Sequence, residues 1–173
     1  AGPQGLASAA HLVERGEEVV VLEAGEGAAS AVVEWGHVRL FSEWGELVDA
    51  ASARLLAPTG WEAPQSGYPT GDQWIAAYLK PLADILGNRV RYGARVVGVS
   101  RRGRDRLVDA DRGEQPFTVH VDCADGEYRL QARAVIDASG TWQHPNPAGA
   151  DGLPALGERA ASSALTYRIP DFR

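Results

Sequence analysis

The chain has no methionine, one cysteine (Cys123) in 173 residues, and no apolar run long enough to cross a bilayer. A single thiol excludes any disulfide within the chain and fits a reducing compartment. Cys123 stands beside Ala124-Asp125-Gly126, a turn sequence, and reads as a hairpin-end thiol rather than a nucleophile. Basic excess is also lacking. Lys and Arg number 17 against 23 Asp and Glu, giving a net charge of −6 and a pI near 5.2. That balance argues against non-specific binding to nucleic acid or anionic membranes. No secretory leader is expected, and the expected location is the cytoplasm. The four histidines, His11, His37, His120 and His144, match no zinc spacing, and no nucleophile elbow precedes a helix. Neither a metal site nor a catalytic acid, base or nucleophile is assigned. With 45% hydrophobic and 23% charged residues, the chain can form one sizeable core.

Two segments do carry information. The chain opens on Ala1-Gly2-Pro3-Gln4-Gly5-Leu6-Ala7, and far downstream an apolar strand closes on Val135-Ile136-Asp137-Ala138-Ser139-Gly140. A phosphate-cradling turn needs glycine for its bend, glycine where the backbone meets a diphosphate, and glycine where the following helix packs on the sheet. Gly2 and Gly5 fit the second and third roles, with Pro3 between them. Leu6, Ala9, Ala10 and Val13 recur at i, i+3, i+4 and i+7, which predicts a helix over 4–15 stopped by Gly16. Its first amides would face phosphate. Val19-Val20-Val21-Leu22 reads as a strand buried on both faces and ends on Glu23, eighteen residues after Gly5. A carboxylate there suits a ribose diol. Two glycines at a helix start also fit an ordinary strand-to-helix turn. A charge closing a buried strand needs a partner, and this favours nucleotide binding.

These segments resemble three signatures of the two-dinucleotide-binding-domain flavoproteins, the superfamily of flavin-containing monooxygenases and pyridine-nucleotide oxidoreductases. They are Ala1-Gly2-Pro3-Gln4-Gly5-Leu6-Ala7, Val21-Leu22-Glu23-Ala24-Gly25, and Val135-Ile136-Asp137-Ala138-Ser139-Gly140-Thr141-Trp142. The last is similar to that family's A-T-G motif with serine for threonine. The resemblance implies FAD held by Gly2, Pro3, Gly5, Glu23, Ser139 and Gly140, with main-chain groups near Val97 beside the adenine. From the residues alone Val97 is core. The resemblance also implies an α/β, Rossmann-like FAD-binding domain, a parallel sheet with helices plus a small antiparallel β-meander. The strand before the turn and the motif's first glycine are not in the sequence, so the domain is expected to lack its first strand, as a piece of a longer chain would. Such a piece is expected to bind FAD poorly by itself. Glutathione-reductase-like relatives carry a cysteine pair after the second signature; none is found here.

Between the signatures, 28–45 lacks a clean period, a helix is predicted over 46–56, a loop over 58–71, and a helix from Thr70 or Asp72 to Gly87 kinked by Pro81. Three β segments follow, on Val96, Val97 and Val99, on Phe117, Val119 and Val121, and on Tyr128, Leu130 and Ala132, with an Asp125-Gly126 hairpin turn. The returning strand is placed at 134–138. Arg101, Arg102, Arg104 and Arg106 look like a phosphate-binding run but alternate with aspartates as a solvated loop does. Trp35, Trp44 and Trp142 either fill the core or shield a flavin ring.

Gly152-Leu153-Pro154-Ala155-Leu156-Gly157-Glu158 resembles the linker into the NADPH domain of flavin-containing monooxygenases, but their F-x-G-x-x-x-H fingerprint is incomplete: set on Gly157, it lacks the aromatic and has Ala161 for the histidine. The expected organisation is therefore 1–150 as the first segment of the FAD domain and 151–173 as a linker toward an NAD(P)H domain outside this sequence. The expected function is an FAD-dependent, NAD(P)H-using oxidoreductase, monooxygenase-like, acting on a small molecule that the sequence does not identify. A homo-oligomer is compatible with it. A non-catalytic nucleotide-binding or regulatory module is the alternative. An NAD-only dehydrogenase fits less well, because the Asp137-Ala138-Ser139-Gly140 return follows an antiparallel meander.

Overall fold

The structure, a computed structural model, describes residues 1–172. Helix α1 spans Pro3–Glu14 and ends where Gly16 takes a φ of +74°, the left-handed conformation that stops a helix without steric cost. It buries Leu6, Ala9 and Ala10. Strand β1, Val21–Leu22, pairs in parallel with β2, Val90–Arg91. The strand expected over 19–22 is thus two residues long and half-buried, and Val20 is exposed. Only one edge of β1 is paired among the described residues, so the apolar run lacks the flanking cover that a central strand has.

The helix expected over 46–56 divides into α3 (Trp44–Leu47) and α4 (Ala50–Leu56), separated by extended Val48. Asp49 causes the break. Its carboxylate accepts from the Ser52 amide at 2.9 Å and from Ser52 Oγ at 3.0 Å, and an N-cap of this kind requires non-helical backbone at the capping residue. The next helix starts on Thr70 as expected, through a reciprocal capping box with Gln73, and runs through α5 (Gly71–Trp74) and a π-helical turn (Ile75–Leu79) into α6 (Lys80–Leu86).

Pro81 accounts for the π turn. Proline offers no N–H, so the Ala77 carbonyl four residues earlier loses its helical donor. The Trp61 indole N–H donates to that oxygen at 2.7 Å instead, while Lys80 N–H reaches back to Ile75. The kink predicted at Pro81 is therefore absorbed as one widened turn.

The main core is built on α1, α4, the π turn and α6, with Leu6, Leu56, Leu79, Leu82 and Leu86 fully buried beside Val90. Ser30–Val33 forms the short α2, which begins at left-handed Ala29. A second cluster of Ala94, Val119 and Val121 lies under an antiparallel sheet of order β3-β4-β5: Arg95–Arg101, Phe117–Cys123 and Gly126–Ala132. The meander is as expected, but its hairpin turn sits one residue earlier, with Ala124 and Asp125 in the loop and Gly126 already paired with Cys123. Val97 is not core. The β3–β4 register skips it between Val96 and Gly98, so it bulges from the ladder with half its surface exposed.

Residues 134–138 have no regular secondary structure and join no sheet among the described residues, and Val135 and Ile136 are exposed. The returning strand is therefore a correction, since a strand needs a ladder partner and none is adjacent here. What emerges is a mixed helix and sheet fold with a small parallel sheet and a separate antiparallel one. Among the described residues no helix is long and apolar enough to cross a membrane.

Candidate nucleotide-binding site

Gly2 is the N-cap of α1, extended at φ −77° and ψ 179°, and Pro3 occupies the first helical turn. Pro3 has no N–H to orphan, and its fixed φ suits a helix start. The first intrahelical bond runs from Leu6 N–H to the Gly2 carbonyl at 3.0 Å, which leaves the Gln4 and Gly5 amides without intrahelical acceptors. The space a side chain at Gly2 would occupy is open. Donors, helix dipole and open space together form a surface for a negatively charged group.

Glu23 lies against this turn. Its carboxylate lies against the Ala1 nitrogen and accepts the Gly25 amide at 2.8 Å. Its backbone continues the parallel pairing, with N–H to the Arg91 carbonyl at 2.9 Å and C=O from Ala94 N–H at 2.8 Å. Ala1 C=O accepts from Ala29 N–H at 2.9 Å, which joins the start of α2 to the same corner. Gly25 is required by space. A Cβ there would fall 2.1 Å from Ser30 Oγ.

The first and third signature segments approach one another. A Cβ on Gly5 would lie 3.6 Å from the Ala138 Cβ, so the helix start packs on the stretch that opens into Ser139-Gly140. Asp137 shapes that tip by accepting from Ser139 N–H at 3.0 Å and from Ser139 Oγ at 2.7 Å, and these bonds hold its carboxyl below the ordinary range. Gly140 follows at φ +69°, a conformation that favours glycine. Gly2, Pro3, Gly5 and Glu23 thus share one corner, and Ser139 and Gly140 follow directly after the residue that lies close to Gly5. Val97 lies apart from them on β3, the strand that begins directly after Ala94.

Of the tryptophans, Trp44 is buried in the core, whereas Trp35 and Trp142 form a tilted pair with centroids 6.4 Å apart. The arginine-rich loop holds itself together. Arg104 Nε donates to the Ala110 carbonyl at 2.5 Å, Arg112 to the Asp105 carbonyl, and Arg101 to the Gln115 carbonyl at 2.5 Å while stacking on Phe117. These arginines are engaged with backbone rather than aimed at the α1 terminus.

One polar network is built on His11, which matches no zinc spacing in the sequence. His11 Nε2 sits 2.9 Å from Asp49 Oδ2, and the Asp49 amide donates to the Tyr78 hydroxyl at 3.1 Å. Burial acts to raise the Asp49 pKa, but the bonds from Ser52 and His11 prevail and hold it below the ordinary value. Burial pushes the Tyr78 phenol up. Asp49 serves as cap and as brace between α1 and α4, and the only sequence signal for it was an Asp three residues before a Ser.

A concavity of about 460 Å³, lined by Val13, Glu17, Glu18, Val19, Asn88 and Arg89 among others, opens at the opposite end of α1. Helix carbonyls face that end, so it is the wrong pole for a phosphate.

No family model matches the chain, and no curated protein matches it. Among solved structures it is similar to a ternary complex of aklavinone-11 hydroxylase with FAD and aklavinone, at 20% identity and a TM-score of 0.45, over 81% of this chain. The match spans 31% of that protein. At this level two chains need not share a fold.

Proposed function

We propose that this chain is the FAD-binding part of an FAD-dependent, NAD(P)H-using, monooxygenase-like oxidoreductase that acts on a small molecule. The approach of Ala138 to Gly5, close enough that a Cβ added at Gly5 would lie 3.6 Å from the Ala138 Cβ, carries the reading, because it brings the amide-rich helix start near the stretch that opens into Ser139-Gly140. The fit to a dinucleotide rests on donor chemistry: unpaired first-turn amides, open space before Gly2, and glycine at both bends.

Gln4 and Gly5 amides would hold the diphosphate with Gly2 and Pro3 shaping the approach, Ser139 and Gly140 would close on it, and main chain near Val97 would meet the adenine. Glu23 would reach a ribose diol while its carboxylate still accepts the Gly25 amide. Bound FAD would supply the redox chemistry, and the chain's residues bind, orient and exclude water. Residues 1–150 would form the first FAD-domain segment and 151–173 the connection toward an NAD(P)H domain.

The gene product carrying this sequence should purify yellow, release FAD on denaturation and oxidise NADPH. A colourless protein that takes up no FAD on refolding overturns the reading. A flavin that binds but is never reduced by NADPH indicates a nucleotide-binding module instead.

A further inference from the structure

Residues 141–172 contain only short single turns and are largely exposed, yet two positions in this stretch, 25 apart, return to one carboxylate. Glu34, the C-cap of α2, accepts from Gln143 Nε2 at 2.5 Å on one oxygen and pairs with Arg168 Nη1 at 2.7 Å on the other. Gln143 Oε1 in turn accepts from Arg168 Nη2 at 2.8 Å, which closes a three-membered clasp. The Arg168 guanidinium lies 4.9 Å from the Trp142 ring centre, and Trp142 packs on Trp35, the neighbour of Glu34 in sequence. His37 reinforces the same corner through Nε2 to the Pro170 carbonyl at 3.2 Å.

The loop so closed is organised from within. Glu158 accepts from Ala155 N–H at 2.6 Å, from Ala148 N–H at 3.1 Å and from the Tyr167 hydroxyl. A long segment without regular structure that is nonetheless pinned at its base and braced inside has the character of a lid rather than of a slack tether. Its base is also well placed. Four residues before Trp142 stands Ala138, which lies close to Gly5, and α2 begins at Ala29, which bonds to Ala1.

We propose that residues 143–168 form a lid beside the nucleotide-facing end of α1, closed on the body at Glu34 and opened when Arg168 and Gln143 leave that carboxylate. Both donors act on one acceptor, so the clasp opens as a unit. The proposal does not depend on flavin, and its test uses none.

Trypsin under native conditions reads the open population through the exposed Arg159 bond inside the loop. Glu34→Ala and Arg168→Gln should each speed cleavage at Arg159 by about fivefold, the scale set by one exposed charge pair. The double variant should be cleaved no faster than either single variant. Hydrogen exchange at Leu6 and Ala9 in α1 should stay as in the parent. Cleavage of Glu34→Ala at the parental rate, additive rates in the double variant, or loss of α1 protection in step with cleavage would each overturn the proposal.

Discussion

Gly5 and Ala138 are in van der Waals reach of one another although 133 positions separate them, a methyl on Gly5 lying 3.6 Å from the Ala138 methyl. That spacing is ordinary contact, so a methyl is tolerated there. Gly5→Ala should therefore stabilise the fold by about 0.5–1 kcal/mol, the helix-propensity gain of Ala over Gly, as read from thermal or denaturant unfolding. A methyl on Gly2 would instead enter the open space where a diphosphate approaches the backbone, so Gly2→Ala should lower FAD affinity in a flavin-fluorescence titration. Affinity unchanged in Gly2→Ala would count against a diphosphate at this turn.

Gly25 is the opposite case. A methyl there meets Ser30 Oγ at 2.1 Å and Ser30 Cβ at 2.6 Å, so the turn after Glu23 must shift. Gly25→Ala should cost about 1–3 kcal/mol by overpacking. Adding Ser30→Gly should recover most of the loss, because it removes both colliding atoms. Chemical denaturation of the two variants and the double variant decides it, and a double variant as unstable as Gly25→Ala would rule out the collision.

Trp61 and Pro81 act on one carbonyl. Trp61→Phe keeps the apolar ring but leaves the Ala77 oxygen without its 2.7 Å donor, at a cost of about 1–3 kcal/mol. Pro81→Ala restores a backbone N–H able to serve that oxygen. The damage from Trp61→Phe should accordingly be smaller in a Pro81→Ala background, a non-additivity measurable by a double-mutant cycle. Strict additivity would show that the indole bond does not compensate the proline.

The Asp49 brace predicts a pH dependence. Its carboxyl is held below the ordinary value in the fold, so its contribution is present above the unfolded value of about 3.9 and disappears as pH falls through the folded one. Asp49→Asn keeps an N-cap oxygen for Ser52 but cannot be titrated, and it loses the charge facing His11. The stability difference between parent and variant should be constant above about pH 5 and shrink below it. A difference that holds constant down to pH 2 would dismiss the carboxylate's part.

Periodicity was enough to read α1, the Thr70 helix and the three-stranded meander, because each is specified locally by a cap, an apolar face or a turn. The break at Val48 was not legible, since it depends on whether Asp49 folds back onto Ser52 or remains in the helix. Nor was the π turn, whose stability rests on an indole from sixteen residues upstream. For 134–138 the apolar run reads as a strand, but strand formation depends on a neighbour that the run itself does not encode. At the candidate site the glycines and Glu23 were visible by type and spacing. The attachment of Glu23 to Ala1 and the Glu34 clasp arise only from tertiary approach.

The bulge at Val97 bears on how molecules of this protein avoid one another. β3 is an outer strand carrying three exposed valines, the sort of border along which copies of a protein can stack into aggregates. By setting Val96 through Gly98 out of step with β4, the extra residue interrupts the even row of donors and acceptors that a docking strand would need. The sheet thereby keeps its sticky margin irregular, and removing Val97 to straighten it would trade a local imperfection for a tendency to self-associate.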